Sequence, residues 1–244
     1  MFTTVSILKF GSHRFRALAA MGTLPRQLRG ADGLRFYRLM GSGIGKAFSL
    51  RPDFSRYFFL ATWDSEPKAH RFFAQHKAWN RYACYASGIA QLHLEPLSSK
   101  GTWNGQEPFG VPAKKMDSQA PLVILTRARL RVSGMPSFWR HARTSTSDLY
   151  RSAGLIYSAG IGEVPYLEQA TFSIWESAAK MKDFSHSPAH IRAVQLRHKE
   201  NWYREELFAR FTLKGGTLHH PEHFEELVSL PALAGDLVLD RSAS

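Results

Sequence analysis

His190 is the residue whose type and setting most clearly point to chemistry. Ser187 can cap a helix and Pro188 suits the first helical position, so a helix is predicted to begin here with His190 in its first turn. Helical spacing puts three further residues on the same face: Ala193, Val194 and Arg197. Small neighbours leave room beside the imidazole for a flat macrocycle. The alternative is a histidine that only packs or forms hydrogen bonds.

Two other segments lack the spacing that their apparent chemistry needs. Gly41–Ala47 resembles a phosphate-binding loop, but only three residues separate its first glycine from Gly45-Lys46 and no Ser or Thr follows. A glycine-rich strand edge is the favoured interpretation. The cluster of His219, His220 and His223 lacks the helical i, i+4 pair of zinc proteases, which favours a solvated tail.

The chain contains an internal repeat at an offset of 112 residues. Ala61–Phe72 aligns with Ser173–Phe184, and in both segments a strand is predicted to end on Trp before a Ser-capped helix. In the flanks, Val5–Leu8 resembles Leu122–Leu125. The same offset sets Ala78 opposite His190, so one repeat offers a ligand that the other lacks.

Each repeat is predicted to run β-α-β-β-α-β, the ferredoxin-like order. The predicted fold class is α+β, with duplicated ferredoxin-like units forming a dimeric α+β barrel within one chain. The predicted divisions are a first repeat over 1–97, a connecting loop over 98–120, a second repeat with the ligand over 121–215 and a C-terminal tail over 216–244. Three element predictions matter below: one helix over Glu66–Tyr85, a strand over Leu149–Ile156, and a helix over Ala178–Arg204 interrupted at Pro188.

Composition narrows the classes of partner. A formal charge of +12 suits nucleic acid, an anionic membrane surface or an anionic ligand, but no nucleic-acid motif accompanies it, so nucleic acid is not expected. The single cysteine, Cys84, excludes an intrachain disulfide and is consistent with a reducing compartment. Because no secretory signal or long apolar run is recognised, we expect a cytoplasmic protein with peripheral membrane contact.

The sequence resembles the spheroidene monooxygenase family, which oxidises acyclic carotenoids at a terminal carbon. The resemblance covers nearly the whole chain and rests on six segments: Ile7–Gly11, Leu39–Gly43, Ala61–Trp63, Gly101–Phe109, Ser173–Trp175 and Trp202–Phe211. It implies haem b, molecular oxygen, an external electron donor and an apolar small-molecule substrate. A homodimer is a further expectation.

A more distant resemblance supports the iron ligand. Ser185–His190 is similar to the segment that bears the proximal histidine in haem aldoxime dehydratases, which also use a duplicated α+β barrel. The resemblances imply His190 as the axial ligand. Val194 shares its helical face, and Trp175 precedes its helix, so both are candidates for contact with the haem, although core anchoring is the favoured interpretation for Trp175. Candidate forked donors for the propionates are Arg38, Arg127, Arg129 and Arg151, although Arg127 and Arg129 alternate along one strand and could equally face solvent. The candidate distal acid–base residues are Tyr150, Arg151, Ser152 and His198.

Two alternatives to a monooxygenase remain open at this point. One is a haem-dependent lyase that dehydrates an aldoxime-like N–O bond. The other is a non-haem α+β barrel that binds a small ligand or only self-associates. The contrast between His190 and Ala78 favours the two haem enzymes.

Overall fold

A computed structural model describes residues 1–47, 49–110 and 120–233. Inside the helices, a few side chains lie outside this description: those of residues 142–148, 150, 189, 190, 193, 197 and 198.

The first repeat consists of four strands and three helices. In chain order these are β1 (Phe2–Lys9), α1 (Arg14–Gln27), β2 (Leu34–Gly43), β3 (Pro52–Trp63), α2 (Glu66–Gln75), α3 (Lys77–Ala83) and β4 (Gly88–Gly101).

The second repeat follows the same order and ends in a longer strand. Its elements are β5 (Leu122–Leu130), α4 (Met135–Tyr150), β6 (Leu155–Gly162), β7 (Glu168–Trp175), α5 (Ala178–Ser185), α6 (Pro188–Glu200) and β8 (Tyr203–His219). A short helix α7 (Glu225–Val228) lies between two 3₁₀ turns (Pro221–His223 and Pro231–Leu233).

The eight strands are hydrogen-bonded in the order β1-β3-β2-β6-β7-β5-β8-β4 and form a closed barrel. Each repeat contributes the strand order 4-1-3-2 that is typical of ferredoxin-like units. The predicted fold class, two ferredoxin-like units in one α+β barrel, is therefore confirmed. The registers pair Phe2 with Trp63 and Leu122 with Trp175, so Phe2 and Leu122 occupy equivalent positions. The predicted match of Val5 with Leu122 is three residues out of register.

The chain divides into two compact units. The first comprises residues 1–42 and 53–95 together with the chain from Leu213 onward, and the second comprises 43–52 and 96–212. The first unit has an aromatic core in which Phe59, Trp63, Phe72 and Trp79 pack together. The second unit has two smaller clusters, one around Trp175 and one around Trp202.

The C-terminal segment is packed against the first unit over its described length. Leu218, Phe224, Leu227, Leu230 and Leu233 are all buried. Residues 220–233 are therefore folded against the first unit, and His220 and His223 lie exposed on the surface of this segment.

Two predicted elements are wrong and a third ends too late, and each error lies at a turn. The predicted start at Ala178 and break at Pro188 are confirmed for the third. His76 has an extended backbone and accepts a hydrogen bond from the Trp79 amide, which divides the predicted helix over 66–85 into α2 and α3. The predicted strand over 149–156 is mostly helix and turn, because α4 continues to Tyr150 and Gly154 turns at φ +82° before β6. Asn201, at φ 48°, ends α6 before the predicted Arg204.

Two glycine-rich segments lie at strand ends. β2 runs through Gly43, as expected of a strand edge, and the Ile44 amide donates to the Arg51 carbonyl at 2.9 Å. β4 continues to Gly101, beyond the predicted start of the connecting loop. Asn104 and Gly105, at φ 52° and 73°, then form the tight turn expected of an Asn-Gly pair. Residues 111–119 of the predicted loop lie outside the described chain. Among the described residues, no helix has the length and apolar character needed to cross a membrane.

Candidate functional site

His190 lies in the first turn of α6, as the sequence predicts. α5 ends at Ser185, and His186 bonds through Nδ1 to the Lys182 carbonyl at 2.7 Å. The Ile191 amide donates to the Ser187 carbonyl at 3.0 Å, so α6 begins directly after this break. The His190 side chain itself is not among those described, so its role as a ligand stays a prediction.

The helix that carries His190 leaves apolar side chains open to solvent. Ile191 is 42% exposed and Val194 is 37% exposed. Leu196, on the same helix, instead packs against the cluster of Leu130, Phe138 and Trp202. Val194 lies one turn after His190 on the same face. α6 thus carries a histidine in its first turn and two partly exposed apolar side chains near it.

Trp175 is engaged by the core of its own unit. Its side chain is 2% exposed, its ring stacks on Phe184 at 5.2 Å between centroids, and its indole N–H donates to the Ser173 hydroxyl at 3.0 Å. The packing explains why Trp175 ends β7 and anchors α5. Contact with a cofactor stays a prediction for this residue.

Arg127 lies at the centre of a buried charge cluster in the second unit. Its side chain is only 1% exposed and points from β5 towards two carboxylates. Nη1 donates to Glu205, Nη2 lies 3.6 Å from Glu168, and Nη2 also donates to the Asn104 side-chain oxygen at 3.2 Å. The guanidinium lies 5.4 Å from the ring centroid of Trp103, within cation–π range. A buried arginine needs such partners, because an unpaired buried charge is strongly unfavourable.

Glu205 joins this cluster to the turn after β4. Its carboxylate accepts hydrogen bonds from the Thr102 hydroxyl at 2.7 Å and from the amides of Asn104 and Gly105 at 3.1 and 2.8 Å. Desolvation raises the pKa of Glu205, but hydrogen bonds from Gly105, Thr102, Arg127 and Asn104 outweigh it and lower the pKa to about 2. Glu205 is therefore ionised at neutral pH and fixes the turn to β8.

The remaining predicted arginines are less enclosed. The Arg129 side chain is 37% exposed, and its Nε lies 3.3 Å from Glu168, the carboxylate that Arg127 also approaches. Arg38 donates to the Tyr37 carbonyl at 2.7 Å and lies over the Phe36 ring. Arg151 is exposed, and the side chains of Tyr150 and His198 lie outside the description. The structure thus brings Arg127 and Arg129 together, and the propionate and acid–base roles stay predictions.

The prediction from sequence did not include the residues that pair with Arg127 in the charge cluster. Glu205, Glu168 and Asn104 were not candidates, although Asn104 and Glu205 both lie in segments that carried the family resemblance. No local pattern marked these residues, because their contacts with Arg127 join positions far apart in the sequence. Trp103, which donates to Glu163 at 2.7 Å, extends the same network.

Comparison with solved structures defines the class of fold. The chain superimposes on aldoxime dehydratase with a TM-score of 0.56 at 10% identity, covering 87% of this chain and 80% of that one. A second aldoxime dehydratase, in complex with butyraldoxime, gives a TM-score of 0.54 at 10% identity, covering 87% of this chain and 79% of that one. At such low identity the similarity establishes a shared α+β fold and nothing further.

Sequence comparison identifies the family. The chain is 36% identical to spheroidene monooxygenase of Rhodobacter capsulatus over 193 residues, which is 78% of this chain and 80% of that protein. It is 32% identical to spheroidene monooxygenase of Cereibacter sphaeroides, over 87% of this chain and 66% of that protein. The corresponding protein of Rubrivivax gelatinosus is 34% identical, over 78% of this chain and 72% of that protein. No profile of a known family matches the chain. The chain belongs to the spheroidene monooxygenase family.

Proposed function

We propose that this protein is a haem-dependent monooxygenase that oxidises a long, apolar, carotenoid-like substrate with molecular oxygen. The observation that carries the proposal is the 36% identity to spheroidene monooxygenase over 80% of that relative. Insertion of one oxygen atom and reduction of the other to water consume two electrons. We therefore include an external electron donor in the proposal.

The exposed apolar side chains of α6 suit a haem group. His190 would hold the iron through a neutral imidazole, and Ile191 and Val194, both exposed, would supply apolar contact to the macrocycle. When bound, haem supplies the activation of oxygen. Arg129 is the better arginine for a propionate, because it is more exposed than Arg127, whose guanidinium is committed to Glu205.

The protein's own contribution is then to bind the group, orient the substrate and exclude water. The acid–base residue beside the oxygen is one of Tyr150, Arg151 and His198. Fixing the His190 ring through a hydrogen bond to its second nitrogen would set the basicity of the ligand.

The test of this function is spectroscopic and then chemical. The purified protein, expressed with haem supply, should show a Soret band that His190→Ala abolishes. His186→Ala is the matched control, since His186 lies four residues earlier and is held by the Lys182 carbonyl. Turnover of an acyclic carotenoid should require both oxygen and a reductant. Dehydration of an aldoxime without either one would contradict the monooxygenase and support the lyase.

We also propose that α1 contacts an anionic membrane surface, where a long apolar substrate would dissolve. Phe15 is 86% exposed and Leu18 is 45% exposed, one helical turn apart. Four exposed arginines accompany them: Arg14, Arg16, Arg26 and Arg29. The first 31 residues contain no Asp or Glu, so nothing acidic on this segment opposes an anionic bilayer.

Vesicle co-sedimentation tests this surface. The protein should bind vesicles containing phosphatidylserine, and Phe15→Ser together with Arg16→Gln should weaken binding severalfold. Val132→Ser is the control, because Val132 is 76% exposed but lies outside α1. Equal binding to neutral and anionic vesicles, or no effect of the α1 changes, would contradict the proposal.

A further inference from the structure

The first unit contains a cluster of metal-ligand side chains far in sequence from His190. Glu66 is the first residue of α2, His70 lies one helical turn later, and His93 lies on β4. The ligand atoms of these three residues all lie within 4.8 Å of one another. We propose that they form a binding site for a divalent transition metal ion, with zinc as the expected occupant.

The backbone holds the three residues at the spacing that such a site needs. The i, i+4 relation sets Glu66 and His70 on one helical face, and Glu66 Oε1 lies 3.5 Å from His70 Nε2. The imidazole rings of His70 and His93 have centroids 5.4 Å apart. A helix and a strand therefore present ligands towards one point, which is more rigid than a site made of loops.

The aromatic ring of Phe2 lies beside the two imidazole rings of the site. Its ring centroid lies 5.3 Å from that of His93 and 6.5 Å from that of His70. The Phe2 ring packs edge-on against His93 and leaves the more distant His70 ring free to turn towards a metal ion.

The ligand set selects the type of ion. Two imidazole nitrogens and one carboxylate oxygen form the His₂Glu set of tetrahedral zinc sites, with water at the fourth position. Zinc bonds of about 2.0–2.2 Å place ligand atoms about 3.3 Å apart, so the side chains must close by about 1 Å or slightly more. The Glu66 and His70 side chains are 59% and 57% exposed, which leaves them free to make this rotation. Calcium and magnesium prefer all-oxygen ligands and do not suit the site.

A metal ion here would connect α2 to β4 within the first unit. Because the unfolded chain has no assembled site, binding would stabilise the folded state. At zinc concentrations about a hundredfold above the Kd, the expected rise in Tm is roughly 5 °C.

Isothermal titration of the untagged, haem-free, chelator-treated chain with zinc tests the proposal. We expect one equivalent to bind with a Kd of micromolar order or tighter. His70→Ala and His93→Ala should each weaken binding at least tenfold, and Glu66→Gln should weaken it severalfold. The cobalt-loaded protein should show the intense visible bands of tetrahedral coordination, and these bands should be lost in His93→Ala.

Two control variants distinguish zinc binding at this site from zinc binding by other histidines. His220→Ala with His223→Ala removes the other exposed histidine pair of the first unit and should leave zinc affinity unchanged. His190→Ala should also leave the zinc affinity unchanged. His70→Ala should leave the Soret band intact. The two results together let the metal site and the haem proposal be tested independently. Zinc binding weaker than about 100 μM, or affinity retained in correctly folded His70→Ala and His93→Ala, would overturn the proposal.

Discussion

The helices α3 and α6 occupy the same place in the two repeats and use it differently. At the offset of 112 residues, Trp79 and Tyr82 of α3 correspond to Ile191 and Val194 of α6. Trp79 and Tyr82 are 4% and 5% exposed, whereas Ile191 and Val194 are 42% and 37% exposed. The first repeat fills this position with its own aromatic side chains. The second leaves an apolar surface beside His190.

The strands of the two repeats also differ in the polarity of equivalent residues. Strand registers make Ile7 of the first repeat equivalent to Arg127 of the second, and Gly88 equivalent to Glu205. Ile7 and Arg127 are both almost fully buried, but one is apolar and the other is charged. At these equivalent positions the first repeat packs apolar side chains or leaves a glycine, whereas the second repeat places a buried ion pair.

The largest expected effect concerns the histidine that only the second repeat has. His190→Ala should lower haem affinity at least about 100-fold, because a lost axial ligand costs more than a lost supporting contact. Ala78→His in the first repeat should create no new haem binding, since Trp79 and Tyr82 already fill the adjacent space. Haem titration followed by absorption checks both variants. A second equivalent of haem in Ala78→His would break the comparison.

The matched pair Trp79→Ala and Ile191→Ala tests the difference in packing. Trp79 contacts Phe59, Phe72 and Phe73, so its removal should lower the free energy of unfolding by about 3–5 kcal/mol. Ile191→Ala should cost less than about 0.5 kcal/mol, as expected at an exposed position. Urea unfolding of the haem-free protein measures both values. Equal losses would show that α6 is packed as tightly as α3.

The buried charge cluster of the second repeat predicts a stability that depends on pH through Glu205. Glu205→Gln should lower the free energy of unfolding by about 3 kcal/mol at pH 7, because Arg127 loses its closest counter-charge. The pKa of Glu205 is lowered to about 2 from 4.5, so its contribution is complete above pH 4.5 and is lost as the pH falls towards 2. The gap between wild type and Glu205→Gln should narrow over that range. A constant gap in urea unfolding from pH 7 to about 3 would contradict this assignment.

The smallest expected effect is the loss of haem affinity when a charge is placed on the exposed apolar surface of α6. Val194→Asp should weaken haem binding severalfold with little change in stability, because the side chain is exposed without haem. Val228→Asp is the control, as Val228 is exposed to a similar degree, at 42%, on α7. Haem affinity reduced equally in both variants would point to a general charge effect.

The sequence predicted the fold well where local patterns decide it. The break between α5 and α6 falls before Pro188, as predicted, since Ser187 and Pro188 mark a helix start locally. The repeat itself predicted the duplicated barrel. The errors at His76, Gly154 and Asn201 depend on single backbone conformations, which propensity does not resolve.

The candidate site was predicted less completely, for a different physical reason. The position of His190 at the start of α6 follows from Ser187 and Pro188 alone. The pairing of Arg127 with Glu205 joins residues 78 positions apart, and that of Trp103 with Glu163 joins residues 60 apart. No local pattern specifies such contacts. They depend on strand register, which the shift between β1 and β5 shows to be the least accurate part of the alignment.

The division of the chain into units has a consequence for synthesis. The first unit includes residues up to 95 but also the chain from Leu213, which supplies buried side chains such as Leu218 and Phe224. A ribosome adding about 5–20 residues per second needs roughly 6–24 s to make the intervening segment. During that interval the nascent first unit exposes apolar surface that residues 213–233 cover later. Transient binding by a chaperone is expected there, and slowing translation between residues 95 and 213 should lengthen it.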